Sequence, residues 1–307
     1  MTVGVVVLNW NGRDDTLACL RSLEAVRAPE LVTIVVDNGS TDGTVAAARE
    51  AFPGIELIET GANLGFAGGN NVGIRRALEL GVDSVLVLNN DIEVDPGFVQ
   101  ALVDEAGRRP DAGALCSKIL FADPPGLIWF AGASFDPRAG YNGRQRGYRE
   151  HDGEAFADVV ETDRACGAAM LVPRAVLEQV GLFDEGLFLY VEDTEWSLRA
   201  RDAGHRLYVV PASRVVHRVS AGSGGEGSPS TLYYDTRNTI AVCERHSPLP
   251  WLGTRRRRGL IVAAHLAQAL QKGRRREGVS AVLAGWRDAR AGRLGPRTRD
   301  RGRKMGS

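Results

Sequence analysis

Cysteine is scarce and scattered. Cys19, Cys116, Cys166 and Cys243 are the four in 307 residues, with no C-x-x-C pair and no metal-ligand spacing. That excludes a disulfide scaffold and fits reduced thiols in a cytosol. Lysine is rarer: Lys118, Lys272 and Lys304 stand against 35 arginines. No apolar run approaches the roughly 18–20 residues that span a bilayer as a helix. The stretch from Gly259 to Ala264 is broken by His265. The start, Met1-Thr2-Val3-Gly4-Val5, has no basic lead-in, so no secretion signal is expected. Net charge is missing too, because 38 basic residues cancel 38 acidic ones. The cancellation hides an asymmetry. Residues 251–307 carry 16 Lys and Arg against 3 Asp and Glu, a local +13, and residues 1–250 carry −13. A basic tail on an acidic body points to an anionic partner, either membrane or nucleic acid.

The sequence is otherwise that of a folded chain. With 44% hydrophobic and 25% charged residues it is neither disordered nor fibrous. Its length suits one or two domains. Val3–Leu8 is a continuous β-branched run and predicts a buried strand. Leu31–Val36, Ile55–Ile58 and Val85–Leu88 read the same way. Between them, Asp14–Val26, Ser40 or Thr41 through Phe52, and Gly68–Leu80 have helical spacing, and Pro96–Ala106 follows as a fourth helix. Alternating strands and helices imply a parallel sheet with helices on both faces. Ligands of such sheets lie beyond the carboxyl ends of the strands. Polar clusters sit there: Asn9–Asn11, Asp37–Asp42 and Asn89–Asp91.

After Pro110 the pattern loosens. Ala114–Phe121, Leu127–Phe135, Arg206–Val210 and Val215–Val219 read as strands, with a loop over Arg138–Gly147. Glu192–Ala203 and Thr231–Arg245 read as helices. Gly259–Gln271 and Val279–Ala291 read as amphipathic helices, and Arg293–Ser307 as a disordered end. Ser220–Ser230 is a flexible Gly/Ser segment. It is either an ordinary loop or a lid that keeps water from a reactive donor.

Each polar cluster has a plain reading beside a chemical one. Asp37–Thr44 is an Asx-turn and helix cap, or a carboxylate that meets a base edge or ribose hydroxyls. Asn63–Asn71 is glycine-rich before a helix and could cradle phosphates, but it matches neither G-x-G-x-x-G nor the P-loop. Asn89-Asn90-Asp91 is a turn, or oxygen ligands for Mg²⁺ or Mn²⁺ completed by diphosphate oxygens. Glu192, Asp193 and Glu195 gather at a helix start, where the dipole alone favours acids. His217 follows an apolar run.

In this order the clusters resemble the family 2 glycosyltransferases, and within them the rhamnosyltransferase-like subgroup. The resemblance spans about residues 3–245, with an echo in Ala281–Gly295. It is carried by Val5–Asn11, Asp37–Thr44, Asn63–Asn71, Asn89–Asp91, Gly181–Glu185, Glu192-Asp193, His217 and Tyr233-Tyr234-Asp235-Thr236-Arg237-Asn238. It implies an α/β fold of the GT-A type, a Rossmann-like mostly parallel sheet with helices on both faces, plus C-terminal helices. Residues 1–110 would form the nucleotide-sugar half, 111–250 the acceptor half, and 251–307 a basic helical extension. Asn9, Asn11, Asp37, Asn63, Gly68, Asn70 and Asn90 would line the donor pocket. Asp91 and His217 would hold Mg²⁺ or Mn²⁺, with Asn89 standing where the family's D-x-D motif has its first acid. Asp193 would be the general base, with Glu192 orienting the acceptor or supporting the loop. The implied reaction is inverting transfer, best from dTDP-L-rhamnose, to a hydroxyl of a glycan or lipid-linked acceptor.

Rival readings are weaker. A sugar nucleotidyltransferase needs a Gly-rich, Lys-bearing loop after the first strand, and Asn9–Arg13 is not one. No nucleic-acid module accompanies the basic tail. The tail's Arg255–Arg258 and Arg274–Arg276 flank apolar positions, which suits peripheral contact with the cytoplasmic face of a membrane. The sequence leaves an oligomer open.

Overall fold

The structure is a computed structural model that describes residues 1–26, 30–136, 140, 144–219, 227–273 and 275–297. Its first half runs β1 (Thr2–Asn9), α1 (Arg13–Glu24), β2 (Glu30–Asp37), α2 (Thr44–Ala51), β3 (Glu56–Glu59), α3 (Gly65–Glu79), β4 (Ser84–Asn89), β5 (Ile92–Val94) and α4 (Phe98–Arg108). The second half adds β6 (Ala112–Phe121), β7 (Ile128–Phe130), β8 (Ala133–Ser134), β9 (Arg144–Gln145), β10 (Val160–Thr162), β11 (Ala169–Pro173), α5 (Arg174–Val180), α6 (Glu192–Asp202) and β12 (Arg206–His217). It closes with α7 (Pro229–His246), α8 (Trp251–Gln271) and α9 (Arg275–Arg290).

One ten-stranded sheet organises the chain, in the order β10-β12-β6-β11-β4-β1-β2-β3, with β5 on β12 and β7 on β6. β3, β2, β1 and β4 are mutually parallel. β11 runs antiparallel to both β4 and β6, and β12 is parallel to β6. Six of the ten strands therefore run one way, with β5, β7, β10 and β11 reversed. Alternation along β2 assigns the faces. Val36 lies under α3, where a Cβ on Gly73 would come within 3.0 Å of it and within 2.4 Å of Val6. Thr33, of opposite parity, lines a groove with Leu20 and Leu23 of α1. Helices cover both faces, as the alternating pattern implies.

Several elements differ from the sequence reading. Val215–Val219 is no separate strand, because β12 continues from Arg206 to His217 through an irregularity between Val210 and Arg214. Leu127–Phe135 is divided into β7 and β8 by Gly132, whose φ is +115°. β5 and α5 carry no clear sequence signal. The loop proposed as a lid has residues 220–226 outside the described residues, as are 298–307 of the end read as disordered.

The C-terminal helices pack on the sheet domain through α7. α9 approaches so closely that a Cβ on Gly285 would lie 2.5 Å from the Tyr233 carbonyl oxygen. α8 begins eight residues before the apolar stretch that signals it, so the Arg255–Arg258 run is helical. Arg257 is buried. Its guanidinium donates to the carbonyls of Cys243 and Ser247 at 2.9 and 2.8 Å, satisfying the open end of α7. Arg258 pairs with Glu244 at 2.5 and 2.7 Å. Arg255 and Arg256 remain exposed.

Candidate active site

The carboxyl ends of β1, β2 and β4 converge on a polar network. Asn9, fully buried, is its hub. Its amide donates to Asp37 Oδ1 at 2.8 Å and to Ser40 Oγ at 2.9 Å, and its oxygen accepts from Thr16 Oγ1 at 2.8 Å and the Gly12 N–H at 3.1 Å. Asp37 Oδ2 accepts from the Ser40 N–H at 2.9 Å. Each Asp37 oxygen thus has one protein donor and keeps lone-pair capacity. Asn11 adopts a positive φ of 51°, and its Oδ1 accepts from the Thr41 N–H at 2.8 Å. Asn90 turns back toward β1, donating to Thr16 Oγ1 at 2.9 Å. Asn9, Asn11 and Asn90 therefore brace the loops, while Asp37 is the group at this corner with acceptor capacity to offer a ligand.

The glycine-rich stretch opens α3. Asn63 Oδ1 accepts from the Gly65 N–H at 2.8 Å and from Asn38 at 3.2 Å. Gly69 and Gly73 are required by packing on Leu8 and Val6, whereas a Cβ on Gly68 would meet only the Leu64 side chain, at 2.9 Å. Asn70 is fully buried; its amide donates to the Phe66 carbonyl at 3.0 Å, and its Oδ1 has no partner among the described residues.

Asp91 and His217, 126 positions apart in sequence, meet at 3.0 Å between Oδ1 and Nε2. They are brought together because β12 pairs with β5, opposing His217 to Ile92. Trp129 stands edge-on to the imidazole at 4.5 Å. His217 Nδ1 is buried and has no hydrogen-bond partner among the described residues. A carboxylate and an imidazole in contact fit a divalent cation. No group of three or more His, Cys, Asp or Glu that could hold a metal gathers among the described residues. The remaining ligands would have to come from substrate oxygens or water.

The α6 N-terminus holds the acids. Asp193 is part-exposed; its Oδ2 accepts from the Gly167 N–H at 3.3 Å and its Oδ1 from the Thr194 hydroxyl at 3.2 Å. Glu192 is buried, and its Oε2 lacks a hydrogen-bond partner among the described residues. Burial, and then the charge of Asp193, push the Glu192 carboxyl well above its usual range. Burial and the neighbouring carboxylate both disfavour the charged form of Glu192. Asp235 of α7 joins them. Burial, then Asp193, push it up to about 7, with Arg164 opposing.

The residues before α6 are strained. Phe188, Tyr190 and Val191 all have positive φ, 66°, 65° and 72°, a conformation that costs non-glycine residues and needs support from its surroundings. The support comes from α7. Asn238, fully buried, donates to the carbonyls of Leu187, Leu189 and Tyr190 at 2.9, 2.9 and 2.7 Å. Arg237 donates to the Leu187 carbonyl at 2.9 Å and to the Gly295 carbonyl at 2.5 Å. Asn71 of α3 clamps the preceding turn, exchanging hydrogen bonds with the Phe183 backbone at 2.9 and 3.1 Å. Asn71 was not distinguished from the rest of its stretch by sequence, and Arg237 and Asn238 entered only within a resemblance. A buried amide or guanidinium inside a helix is the one signal that singles them out.

A parallel-biased sheet with Asp37 and Asp91 at two of its strand ends, and a carboxylate pair on a facing helix, is the architecture of a GT-A glycosyltransferase. The profile of Glycosyl transferase family 2 matches residues 4–181, and the chain belongs to that family, in its rhamnosyltransferase-like part. It is 31% identical to the N-acetylglucosaminyl-diphospho-decaprenol L-rhamnosyltransferase of Mycobacterium tuberculosis, across 84% of this chain and 91% of that one. It is 24% identical to the dTDP-rhamnosyl transferase RfbF of Shigella flexneri, across 80% and 81%. The fold is similar to that of GalNAc-T7 crystallised with UDP, GalNAc and Mn²⁺, with a TM-score of 0.61 and 17% identity. The match covers 89% of this chain but only 57% of that one.

Proposed function

We propose that this glycosyltransferase moves L-rhamnose from dTDP-L-rhamnose to a sugar hydroxyl of a lipid-linked or glycan acceptor, with inversion. The observation that carries the reading is the Asp91–His217 contact at the carboxyl edge of the sheet. These two residues would hold Mg²⁺ or Mn²⁺. When bound, the ion supplies charge neutralisation for the departing diphosphate. Asp37 receives donors from the base or ribose. Asp193 takes the proton of the acceptor hydroxyl as that oxygen bonds to the anomeric carbon and the bond to the diphosphate breaks. A single displacement of this kind inverts the centre. The relatives' names support donor and acceptor class: one is a dTDP-rhamnosyl transferase and the other acts on a diphospho-decaprenol sugar.

A thermal-shift and turnover panel of dTDP-, UDP- and GDP-sugars with Mn²⁺ tests the donor. Preferential stabilisation by a UDP- or GDP-sugar would overturn it. Asp91→Ala tests the metal role. Calorimetry of dTDP with and without Mn²⁺ should show a Mn²⁺-dependent gain in wild type, and that gain should vanish in the variant. An unchanged metal dependence would refute the assignment.

No helix among the described residues is long and apolar enough to cross a membrane. The outer face of α8 nevertheless carries large apolar side chains beside its exposed arginines. Trp251, Leu252, Leu260 and Leu270 are 67%, 71%, 50% and 53% exposed, and Arg255 stacks over Trp251 at 4.7 Å. We propose that this face lies in the interface of an anionic bilayer on its cytoplasmic side, close to a lipid-linked acceptor. Trp251→Ser with Leu252→Ser should lower co-sedimentation with phosphatidylglycerol vesicles about tenfold or more, since each such side chain contributes roughly 1.5–3 kcal/mol when buried. Equal binding of both proteins would refute the contact.

A further inference from the structure

Arg164 lies in the link between β10 and β11, and that link is pinned on both sides of it. The Asp163 carboxylate pairs with Arg201 at 2.8 Å and accepts from the Phe135 N–H at 2.7 Å. The Ala165 N–H donates to Ser197 Oγ at 3.0 Å, and the Cys166 N–H to Cys116 Sγ at 3.2 Å. The Gly167 N–H holds Asp193, and the Ala168 carbonyl accepts from the Asn89 N–H at 2.9 Å, at the end of β4. The link therefore borders both the base and the strand end that carries Asp91.

The Arg164 guanidinium is the exception. Its Cζ stands 5.5 Å from the centre of the Phe130 ring. Its Nε is buried with no hydrogen-bond partner, and it forms no ion pair among the described residues. Its charge is felt at Asp235 and Cys166, and the charge of Asp193 is felt at both as well. Asp193 and Asp235 lie in the same cluster, yet neither pairs with the fork among the described residues. Arg164 is half-buried, and its buried Nε lacks the acceptor that a ligand oxygen could supply. The group whose geometry fits that fork is a phosphate.

We infer that Arg164 is a specificity-determining residue that binds a phosphate of the acceptor, the diphosphate beside the sugar whose hydroxyl is delivered to Asp193. This inference rests on the proposed rhamnosyl transfer to a lipid-linked acceptor. A diphosphate also occurs in the donor, so both sources are tested.

Calorimetry of geranyl diphosphate, in chelator and with saturating dTDP, is the first arm. Removing a charge-assisted contact weakens binding about ten- to a hundredfold. Arg164→Gln should show that loss, and Arg164→Lys part of it. If saturating dTDP displaces geranyl diphosphate and Arg164→Gln weakens dTDP itself, the phosphate is the donor's, and the acceptor assignment is overturned. Equal affinities in wild type and Arg164→Gln would overturn the anchor altogether. Turnover is the second arm, with an N-acetylglucosaminyl-diphosphoryl short-chain lipid and octyl N-acetylglucosaminide as acceptors. The kcat/KM preference for the charged acceptor should fall about ten- to a hundredfold in Arg164→Gln. A shifted pH profile with an unchanged preference would make Arg164 a tuner of the carboxylates and overturn the inference. If wild type uses neither acceptor with dTDP-L-rhamnose, the proposed transfer fails, while the calorimetry still decides whether Arg164 binds phosphate.

Discussion

Asp193→Asn should abolish sugar transfer, lowering turnover by about a thousandfold, while dTDP binding with Mn²⁺ stays within about twofold of wild type. A positioned general base contributes roughly 10²–10⁴-fold. An amide cannot take the acceptor proton, yet it fills the same volume. Its oxygen can still accept from the Gly167 N–H, the contact seen at 3.3 Å. The other carboxyls of the cluster, Glu192 and Asp235, are both held above their ordinary range, by burial first and then by the charge of Asp193. In Asp193→Asn that charge is gone, so Glu192 moves back toward its ordinary range but stays buried in a low-dielectric site. Product formation from a labelled donor, together with calorimetry of dTDP, makes the measurement. Retained turnover with lost donor affinity would sink the base assignment.

Asn238→Ala should cost about 2–4 kcal/mol of stability and lower turnover more than tenfold. Each lost hydrogen bond contributes about 1 kcal/mol, and buried carbonyls left without donors add a penalty. The amide has only two hydrogens for three carbonyls, so one is shared. The three acceptors lie on the segment with positive φ at Phe188, Tyr190 and Val191. Releasing it lets the backbone relax toward ordinary conformations and moves the first turn of α6, where Asp193 sits. Chemical denaturation gives the stability change, and steady-state kinetics gives the rest. A variant with wild-type turnover and unchanged stability would show that Asn238 is not the clamp.

The legible part of the fold is the part whose cause is local. The strands β1, β2 and β4 are largely apolar runs, and their ends are marked by Asn and Asp where the chain leaves the core for water. β12 was harder, because Pro211 and Ser213 interrupt its apolar pattern while the chain bulges and continues. The onset of α8 was hidden because four arginines in a row read as a solvated stretch, whereas Arg257 turns inward to cap α7. The same holds at the site. Asp37, Asp91 and Asp193 stand out at element boundaries. Asn71 finds its partner Phe183 112 positions away, and Asn238 finds Leu187 51 away. Sequence spacing carries no trace of a contact that only the tertiary fold creates.

The tie between Arg237, Gly186 and Gly295 has a consequence for synthesis of the chain. The Gly295 N–H donates to the Gly186 carbonyl at 2.6 Å, and its own carbonyl receives Arg237. The loop in front of Asp193 is thus fastened by a residue about a hundred positions downstream. A nascent chain that has emerged only through the family-matched region, residues 4–181, contains neither Asp193 nor the Arg237 and Gly295 that fasten the loop before it. Asn71 and Asn238 hold part of the segment earlier, but this last tie waits until Gly295 has followed. The strained segment before Asp193 is therefore complete only when residues from the middle and from the far end of the chain are both in place.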